Sequence, residues 1–269
     1  DANRIFGFFE DEASAGNAIH AWKCDSLSIT NNRATRHRDG IYFEFVDNSV
    51  IARNTSKDNI RYGLHFMFSN DDSYEKNVFE SNGAGVAVMF SHNIRMIGNT
   101  FVRNWGGASY GLLLKEISDG LIQGNVFVKN TIGILAEGAN RLKLEMNTFK
   151  LNGTALDIKG NCLDNRIVQN DFIANTFDVV TNTKQNNNSF AENYWSTYTG
   201  YDRNKDGFGD VAFRPVNLFA KITHKVPSAT FLLQSPFVKL IEMGEKIFPQ
   251  FIPESLVDEK PRLKAYDYD

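Results

Sequence analysis

An asparagine recurs between residues 32 and 170 at intervals of 22, 23, 22, 26, 22 and 23 residues. From the third repeat onward it begins the pattern Asn-x-Phe, and most repeats carry a second asparagine five residues later. Self-similarity at one period of this length is typical of solenoids, in which each repeat forms one structural unit. The recurring residues are Asn32, Asn54, Asn77, Asn99, Asn125, Asn147 and Asn170, with Phe79, Phe101, Phe127, Phe149 and Phe172.

Each repeat continues with a glycine or another small residue, which opens a segment where apolar residues alternate with other types. Period 2 predicts β-strands, whereas a helical solenoid would show apolar residues at a period of 3.6. Asn and Gly tolerate the turn and left-handed conformations that corners need. The sequence therefore predicts an all-β fold, a right-handed parallel β-helix of 22–23-residue coils over residues 1–195. Asparagine amides are expected to hydrogen-bond from coil to coil.

Two of these segments, 62–68 and 85–90, carry unusual side chains on the face that alternation assigns to the outside of the coil. His65 and Met67 lie on that face in the first segment, and Met89 takes the position of Met67 in the second. Vertical neighbours in stacked coils are about 4.8 Å apart, so the imidazole and the two thioethers are predicted to converge. The residues predicted to face the interior are Leu64, Phe66, Phe68, Val86, Val88 and Phe90.

An imidazole with two thioethers is a soft ligand set, which selects Cu(I) over calcium, magnesium or manganese. His65, Met67 and Met89 are therefore the candidate copper ligands. The alternative is that these side chains form a surface patch for a protein partner. His20 shares an outward file with Tyr42 and His65 but lies two coils away from His65, so we leave it out of the ligand set.

A second candidate metal site lies after the coils, in residues 202–210. Its sequence fits positions one, three, five and six of a calcium loop, and Asp210 falls at position nine. Position twelve is Phe213, so the bidentate Glu of an EF-hand is absent. We favour a structural Ca2+ loop over the alternative, an Asx-turn. The candidate ligands are Asp202, Asn204, Asp206 and Asp210.

The repeat pattern ends near residue 195. Beyond it we predict a loop region over 196–228 and a C-terminal docking tail over 229–269. Within the tail, Ser235 is a candidate helix N-cap and Pro236 the first helical residue. The residues predicted to form the apolar stripe of this short amphipathic helix are Phe237, Leu240, Ile241 and Ile247 or Phe248. The tail could cap the solenoid, or dock on a membrane-embedded partner or the bilayer surface.

Several classes of function are disfavoured by composition and motifs. A net charge of −3 provides no basic surface for nucleic acid. No apolar run is long enough to span a bilayer, and no P-loop motif for ATP hydrolysis is present. The carboxylates lack the pairing that a glycosidase needs. A first residue Asp1 in place of Met indicates a fragment or a mature form.

Taken in order, several motifs of this chain resemble those of the NosD family. The strand with His65 and Met67, the later Met89 and the Ser-Pro tail favour this family over other β-helix surface proteins. The motifs are Gly16-Asn17-Ala18-Ile19-His20, Arg38-Asp39-Gly40-Ile41-Tyr42, Tyr62-Gly63-Leu64-His65-Phe66-Met67-Phe68-Ser69, Asn193-Tyr194-Trp195-Ser196, Gly200-Tyr201-Asp202, Asp206-Gly207-Phe208-Gly209-Asp210, Ser235-Pro236 and Phe248-Pro249.

The resemblance implies a periplasmic, non-enzymatic adaptor, attached to the inner membrane through an ABC transporter made of the permease NosY and the ATPase NosF. It implies transient binding of Cu(I), received from the copper lipoprotein NosL and used to assemble the copper–sulfur centre of nitrous oxide reductase. It also implies that this chain lacks the family's first coils. Two alternatives are a carbohydrate-binding or carbohydrate-active β-helix, suggested by fold analogy alone, and a purely structural docking role.

Overall fold

The computed structural model describes residues 1–8, 14–183, 187–216, 219, 222–223, 227–233, 235–247 and 256–266. Within these ranges, 25 short strands form three parallel sheets that wind as a right-handed β-helix, which confirms the predicted fold class. Each coil contributes one strand to each sheet, so neighbours within a sheet come from successive repeats.

The bounds of the strands follow the repeat. The first sheet contains β1 (Arg4–Phe6), β4 (Arg33–Thr35), β7 (Thr55–Lys57), β10 (Val78–Glu80), β13 (Thr100–Val102), β16 (Val126–Val128), β19 (Thr148–Lys150), β22 (Asp171–Ile173) and β25 (Tyr194–Trp195). The second contains β2 (Ile19–Asp25), β5 (Asp39–Asp47), β8 (Tyr62–Met67), β11 (Ala84–Met89), β14 (Leu112–Lys115), β17 (Ile132–Glu137), β20 (Thr154–Ile158) and β23 (Phe177–Thr181). The third contains β3 (Ser28–Thr30), β6 (Val50–Ala52), β9 (Ser73–Glu75), β12 (Arg95–Ile97), β15 (Leu121–Gln123), β18 (Lys143–Glu145), β21 (Arg166–Val168) and β24 (Ser189–Ala191).

A column of aromatic rings fills the interior beside the first sheet. The phenylalanines of the Asn-x-Phe repeat stack coil on coil, with ring centroids 4.2 to 5.3 Å apart, and all of them are buried. Burial of this apolar surface contributes roughly 25 cal/mol per Å2. The column consists of Phe79, Phe101, Phe127, Phe149, Phe172 and Trp195.

Beside this column, the repeated asparagines form the predicted hydrogen-bonded ladder. The Oδ1 atom of Asn99 accepts the backbone N–H of Asn77 at 2.9 Å and its side-chain amide at 3.0 Å. The Nδ2 atom of Asn99 in turn donates to Asn125 at 3.0 Å and to the carbonyl of Tyr74 at 2.8 Å. The second asparagine of each repeat builds a parallel ladder in the same way, from Asn59 onward. The predicted hydrogen bonding of asparagine amides from coil to coil is thus confirmed in both ladders.

The first ladder extends one rung beyond the repeats at each end, from Asn3 to Asn193, and then stops at a carboxylate. The Oδ2 atom of Asp258 accepts the backbone N–H and the side-chain amide of Asn193, and the indole N–H of Trp195, all at 3.0 Å. A carboxylate only accepts, so it ends a donor–acceptor chain without leaving a donor unpaired. Residues 256–266 of the C-terminal tail therefore lie against the last coil.

Two phenylalanines depart from the predicted alternation. Phe68 and Phe90 were expected to face inward, but their side chains are 38% and 41% exposed. β8 and β11 end one residue earlier, and both phenylalanines have left-handed φ angles of 50° and 54° that turn the side chain outward. Together with Phe45 they form an outer row in which Phe68 stacks on Phe45 and Phe90 stacks on Phe68, with ring centroids 5.1 Å apart in both pairs. The prediction of inward orientation is wrong for this position of the coil.

The tail contains a 3-10 helix (Pro227–Leu232) and an α-helix, α1 (Pro236–Ile247). Ser235 caps α1 as predicted, because its Oγ accepts the backbone N–H of Val238 at 3.4 Å. The predicted stripe is only partly packed: Phe237 and Leu240 are 54% and 65% exposed, while Val238 is buried. Phe248 lies outside the described residues. Among the helices described, none combines the length and apolar character required to cross a membrane.

Candidate functional site

The outward face of the second sheet places the candidate copper ligands side by side. In the register of β8 and β11, Met67 pairs with Met89 and His65 pairs with Ala87, as predicted from the repeat. Parallel strands are about 4.8 Å apart, so the two thioethers are direct neighbours. His65 precedes Met67 by two residues on the same face. Both methionines are half-buried.

His65 is more enclosed than its outward position predicts, because it is only 8% exposed. The ring of Tyr42, from the coil below, meets the imidazole edge-on at 5.1 Å, and the ring of Tyr62 lies 4.8 Å away. Both imidazole nitrogens are inaccessible to solvent and have no hydrogen-bond partner. Leaving a buried polar group without a partner costs about 1–3 kcal/mol, and such groups are rare in native proteins.

Burial also sets the charge of this imidazole. Desolvation lowers the pKa of His65 to about 4; the carboxylate of Asp39 acts in the opposite direction, and Arg61 lowers the pKa further. The imidazole is therefore neutral at pH 7. A neutral imidazole nitrogen with a free lone pair is the form that binds metal ions.

Close enough to act on the charge of the imidazole is an ion pair that the sequence did not indicate. Asp39 is fully buried and accepts two hydrogen bonds from the guanidinium of Arg61, at 3.1 and 2.7 Å, and the backbone N–H of Tyr62 at 3.3 Å. The guanidinium lies 5.1 Å from the centre of the Tyr62 ring. Alignment of the coils on the glycine would have placed Asp39 directly beneath Tyr62. This vertical pairing was the feature of the sequence that could have indicated the contact between Asp39 and the Tyr62 backbone.

The methionines are bordered by exposed aromatic side chains. The outer row of Phe45, Phe68 and Phe90 follows the file of Met67 and Met89 by one residue in each coil. In the part of the chain that the structure describes, no three His, Cys, Asp or Glu side chains are grouped as a metal site. The donors that fit a soft metal here are thus one imidazole and two thioethers, which match Cu(I).

The Asp-rich loop is organised by hydrogen bonds to its own backbone. Both carboxylate oxygens of Asp202 accept backbone N–H groups, including that of Gly207 at 2.9 Å. Asp210 accepts the N–H of Arg203 at 2.6 Å. The Oδ1 atoms of Asn204 and Asp206 each accept the N–H two residues further on, at 3.0 and 2.9 Å, which is the Asx-turn arrangement that was the alternative to a calcium loop. The calcium loop remains a prediction for its four residues, Asp202, Asn204, Asp206 and Asp210.

Comparison with known proteins links this chain to one family. A family model described as "Periplasmic copper-binding protein (NosD)" matches residues 3–200. A protein of Stutzerimonas stutzeri named "Probable ABC transporter binding protein NosD" is 28% identical over 197 residues, which are 66% of this chain and 44% of that protein. A protein of the same name from Pseudomonas aeruginosa is 29% identical over 191 residues, 65% of this chain and 44% of the relative. The chain thus spans less than half the length of these relatives.

Solved structures with similar folds are more distant in sequence. The A-module of the mannuronan C-5 epimerase AlgE4 from Azotobacter vinelandii matches with a TM-score of 0.56 and 20% identity, over 66% of this chain and 58% of that one. The periplasmic alginate epimerase AlgG matches with a TM-score of 0.53 and 18% identity, over 68% of this chain and 42% of that one. At these identities the likeness extends to the β-helix fold alone.

Proposed function

Because this chain belongs to the NosD family of periplasmic copper-binding proteins, we propose that it carries Cu(I) as cargo on the outward face of its second sheet. In this proposal it is a periplasmic adaptor and metallochaperone of an ABC transporter. It holds Cu(I) transiently and supports assembly of the copper–sulfur centre of nitrous oxide reductase. It is not itself an enzyme.

The observation that carries this proposal is the pair of unpartnered nitrogens on His65. Packing alone gives no reason to bury an imidazole there, since an apolar side chain of similar size would avoid the cost of two unpaired polar atoms. A bound metal ion would supply the missing partner. Met67 and Met89 are next to it and offer soft sulfur donors.

Binding needs no proton exchange at His65 near neutral pH, because the lowered pKa already leaves the imidazole neutral. The long, unbranched methionine side chains adapt their rotamers to an incoming ion. One imidazole and two thioethers are neutral donors, which a ligand of a donor or acceptor protein can join or replace. This suits a cargo that must be handed on.

The partners follow from the family. The curated relatives are named as probable ABC transporter binding proteins, which supports a transporter partner. We propose NosY and NosF as that transporter, NosL as the copper donor and nitrous oxide reductase as the recipient. Since residues 256–266 already pack on the last coil, the docking role of the 229–269 tail is assigned to 229–247, where Phe237 and Leu240 are exposed. Contact with NosY at this segment would attach the protein to the inner membrane.

The copper site is tested by replacing both thioethers with leucine, Met67→Leu together with Met89→Leu. Leucine keeps the apolar volume but removes the sulfur donors, so the affinity for Cu(I) should fall at least about tenfold, the loss seen even for residues that only support a metal ligand. A competition titration against a Cu(I) chelator measures this. Met146→Leu, at a half-buried methionine in a turn away from this face, is the control. Unchanged affinity in the double variant would refute the site.

The carbohydrate alternative predicts a different result. A sugar ring packs on an exposed aromatic face, but the rings of Phe45, Phe68 and Phe90 cover one another's faces and expose mainly their edges. We therefore expect no signal in a glycan array or an alginate lyase assay. Binding of a defined glycan that is lost on Phe68→Ala would favour the alternative instead.

A further inference from the structure

A file of three rings crosses three coils of the second sheet and ends at His65. The imidazole of His20 and the phenol of Tyr42 meet edge-on with centroids 4.9 Å apart, and Tyr42 meets His65 in the same way at 5.1 Å. The strand register places the three residues directly above one another. Tyr42 therefore stands between two imidazoles.

The two imidazoles differ in accessibility. His20 is exposed, Tyr42 is half-buried, and His65 is buried with both nitrogens unpartnered. On the side of the first coils, an ion arriving from solvent or from a partner protein would meet His20 first. It would reach His65 from that side only if the Tyr42 ring moved aside.

The structure also indicates which ring is free to move. Tyr62, the other ring that packs against His65, is held more firmly, because its phenol is hydrogen-bonded to that of Tyr110 and the Arg61 guanidinium lies 5.1 Å from its ring centre. The Tyr42 phenol has no hydrogen-bond partner among the residues that the structure describes. Turning the Tyr42 ring breaks no hydrogen bond, whereas turning the Tyr62 ring would break its bond to Tyr110.

We propose that His20 is the receiving ligand for Cu(I) and that Tyr42 is the gate between His20 and the His65 site. This rests on the proposed function, since it assigns a route to the same copper site. Cu(I) binds first to the exposed imidazole of His20. When the Tyr42 ring turns, the ion exchanges this ligand for the lone pair of His65, and Met67 and Met89 complete the set. The copper remains Cu(I), so no electron is transferred, and neutral His65 releases no proton.

The route is tested by the rate of copper loading. Cu(I) is supplied as a weak chelator complex, and its transfer to the protein is followed by stopped-flow absorbance. His20→Ala should slow loading about tenfold or more while the equilibrium affinity changes by less than about twofold, since His20 is absent from the final ligand set. His92→Ala removes another exposed histidine that lies off this file, and it should leave the rate unchanged. Equal loading rates for His20→Ala and wild type would overturn the receiving role.

The gate is tested without copper, so that its outcome is independent of the copper site. Diethyl pyrocarbonate acylates accessible neutral imidazoles, and mass spectrometry reports each histidine separately. In the wild type, His65 should react far more slowly than His20. Tyr42→Ala should accelerate the reaction of His65 at least tenfold and leave that of His20 unchanged. Tyr42→Phe keeps the ring, so the reaction of His65 should stay slow and that of His20 should stay fast.

The outcomes separate the two ideas. If Tyr42→Ala leaves the reactivity of His65 unchanged, or if it exposes His65 without speeding copper loading, the gate is wrong. If no variant, nor the wild type, binds Cu(I) at all, the proposed function fails, while the acylation rates still report whether Tyr42 covers His65. The folded state of each variant is checked by thermal unfolding, and Tyr42→Leu replaces Tyr42→Ala if the smaller residue does not fold.

Discussion

The asparagine ladder and the His65 site both bury polar side chains, but only the ladder provides hydrogen-bond partners for them. In the ladder, the side chain of Asn99 accepts two hydrogen bonds and donates two, all to buried partners. At His65, both ring nitrogens are buried and neither has a hydrogen-bond partner. Fully satisfied polar groups specify and stabilise a fold, whereas an unsatisfied one weakens it. The difference separates the part of the coil that serves folding from the part that serves binding.

The largest expected effect comes from breaking the ladder. Asn99→Leu removes four side-chain hydrogen bonds and leaves the buried backbone N–H of Asn77 and one hydrogen of its amide without their acceptor, so we expect a loss of about 4 kcal/mol in the free energy of unfolding. Urea denaturation measures it. The control is Asn161→Leu, an exposed asparagine whose Oδ1 accepts one backbone N–H, at a cost of about 1 kcal/mol or less. Similar losses of stability for the two variants would show that a ladder asparagine contributes no more than an exposed asparagine with one hydrogen bond.

The same test at His65 should give the reverse result. His65→Leu replaces an unpartnered imidazole by an apolar side chain, so at pH 7 the free energy of unfolding should change by less than about 1 kcal/mol, or increase. The affinity for Cu(I) should nevertheless fall at least about tenfold. Denaturation and chelator competition on one preparation measure both. A large loss of stability would mean that the imidazole has a structural partner.

Acidification sharpens this comparison. The pKa of His65 is lowered from 6.5 to about 4 in the folded chain, so between these pH values the unfolded chain binds a proton that the folded chain does not. The neutral imidazole therefore does not lower the free energy of unfolding above pH 6.5. As the pH falls towards 4, protonation of the unfolded chain lowers the free energy of unfolding by about 3 kcal/mol in total. His65→Leu lacks this loss and should gain about 2–3 kcal/mol over the wild type by pH 4.5.

Only the difference between the two proteins isolates His65. Burial raises the pKa of Asp72 to about 7 and that of Asp178 to about 6, so these carboxyls act with the opposite sign and favour the folded chain on acidification. Both are present in the wild type and in the variant, and their contributions cancel in the difference. A difference that does not vary with pH would contradict the assigned burial of His65.

The smallest effect is expected at the Asp-rich loop, whose carboxylates resemble the ladder because they already accept backbone N–H groups. If the loop binds Ca2+ as predicted, about 1 mM Ca2+ should raise the melting temperature by a few degrees, and Mg2+ should not. Asp206→Asn, which keeps an oxygen acceptor for the backbone, should abolish the rise. No response in the wild type would leave the Asx-turn as the correct interpretation.

Much of the fold followed from one regularity. The 22–23-residue period predicts the stacking of Phe79 on Phe101 and of Met67 beside Met89, because in a parallel β-helix the period sets which residues are vertical neighbours. The alternation of residue types predicts which side chains lie inside, as long as the backbone stays extended. It fails at Phe68 and Phe90, where the φ angle becomes positive and the alternation no longer applies.

The sequence by itself therefore determined the coil, its register and the residue types on each face, since these depend on local periodicity. The tertiary structure alone decided that His65 is buried, because its cover comes from Tyr42 and Tyr62, whose rings lean over the imidazole at angles that no pattern specifies. It also decided that the ladder ends at Asp258, 65 residues beyond Asn193 and outside any repeat. Contacts made once, between groups far apart in the chain, leave no periodic trace in the sequence.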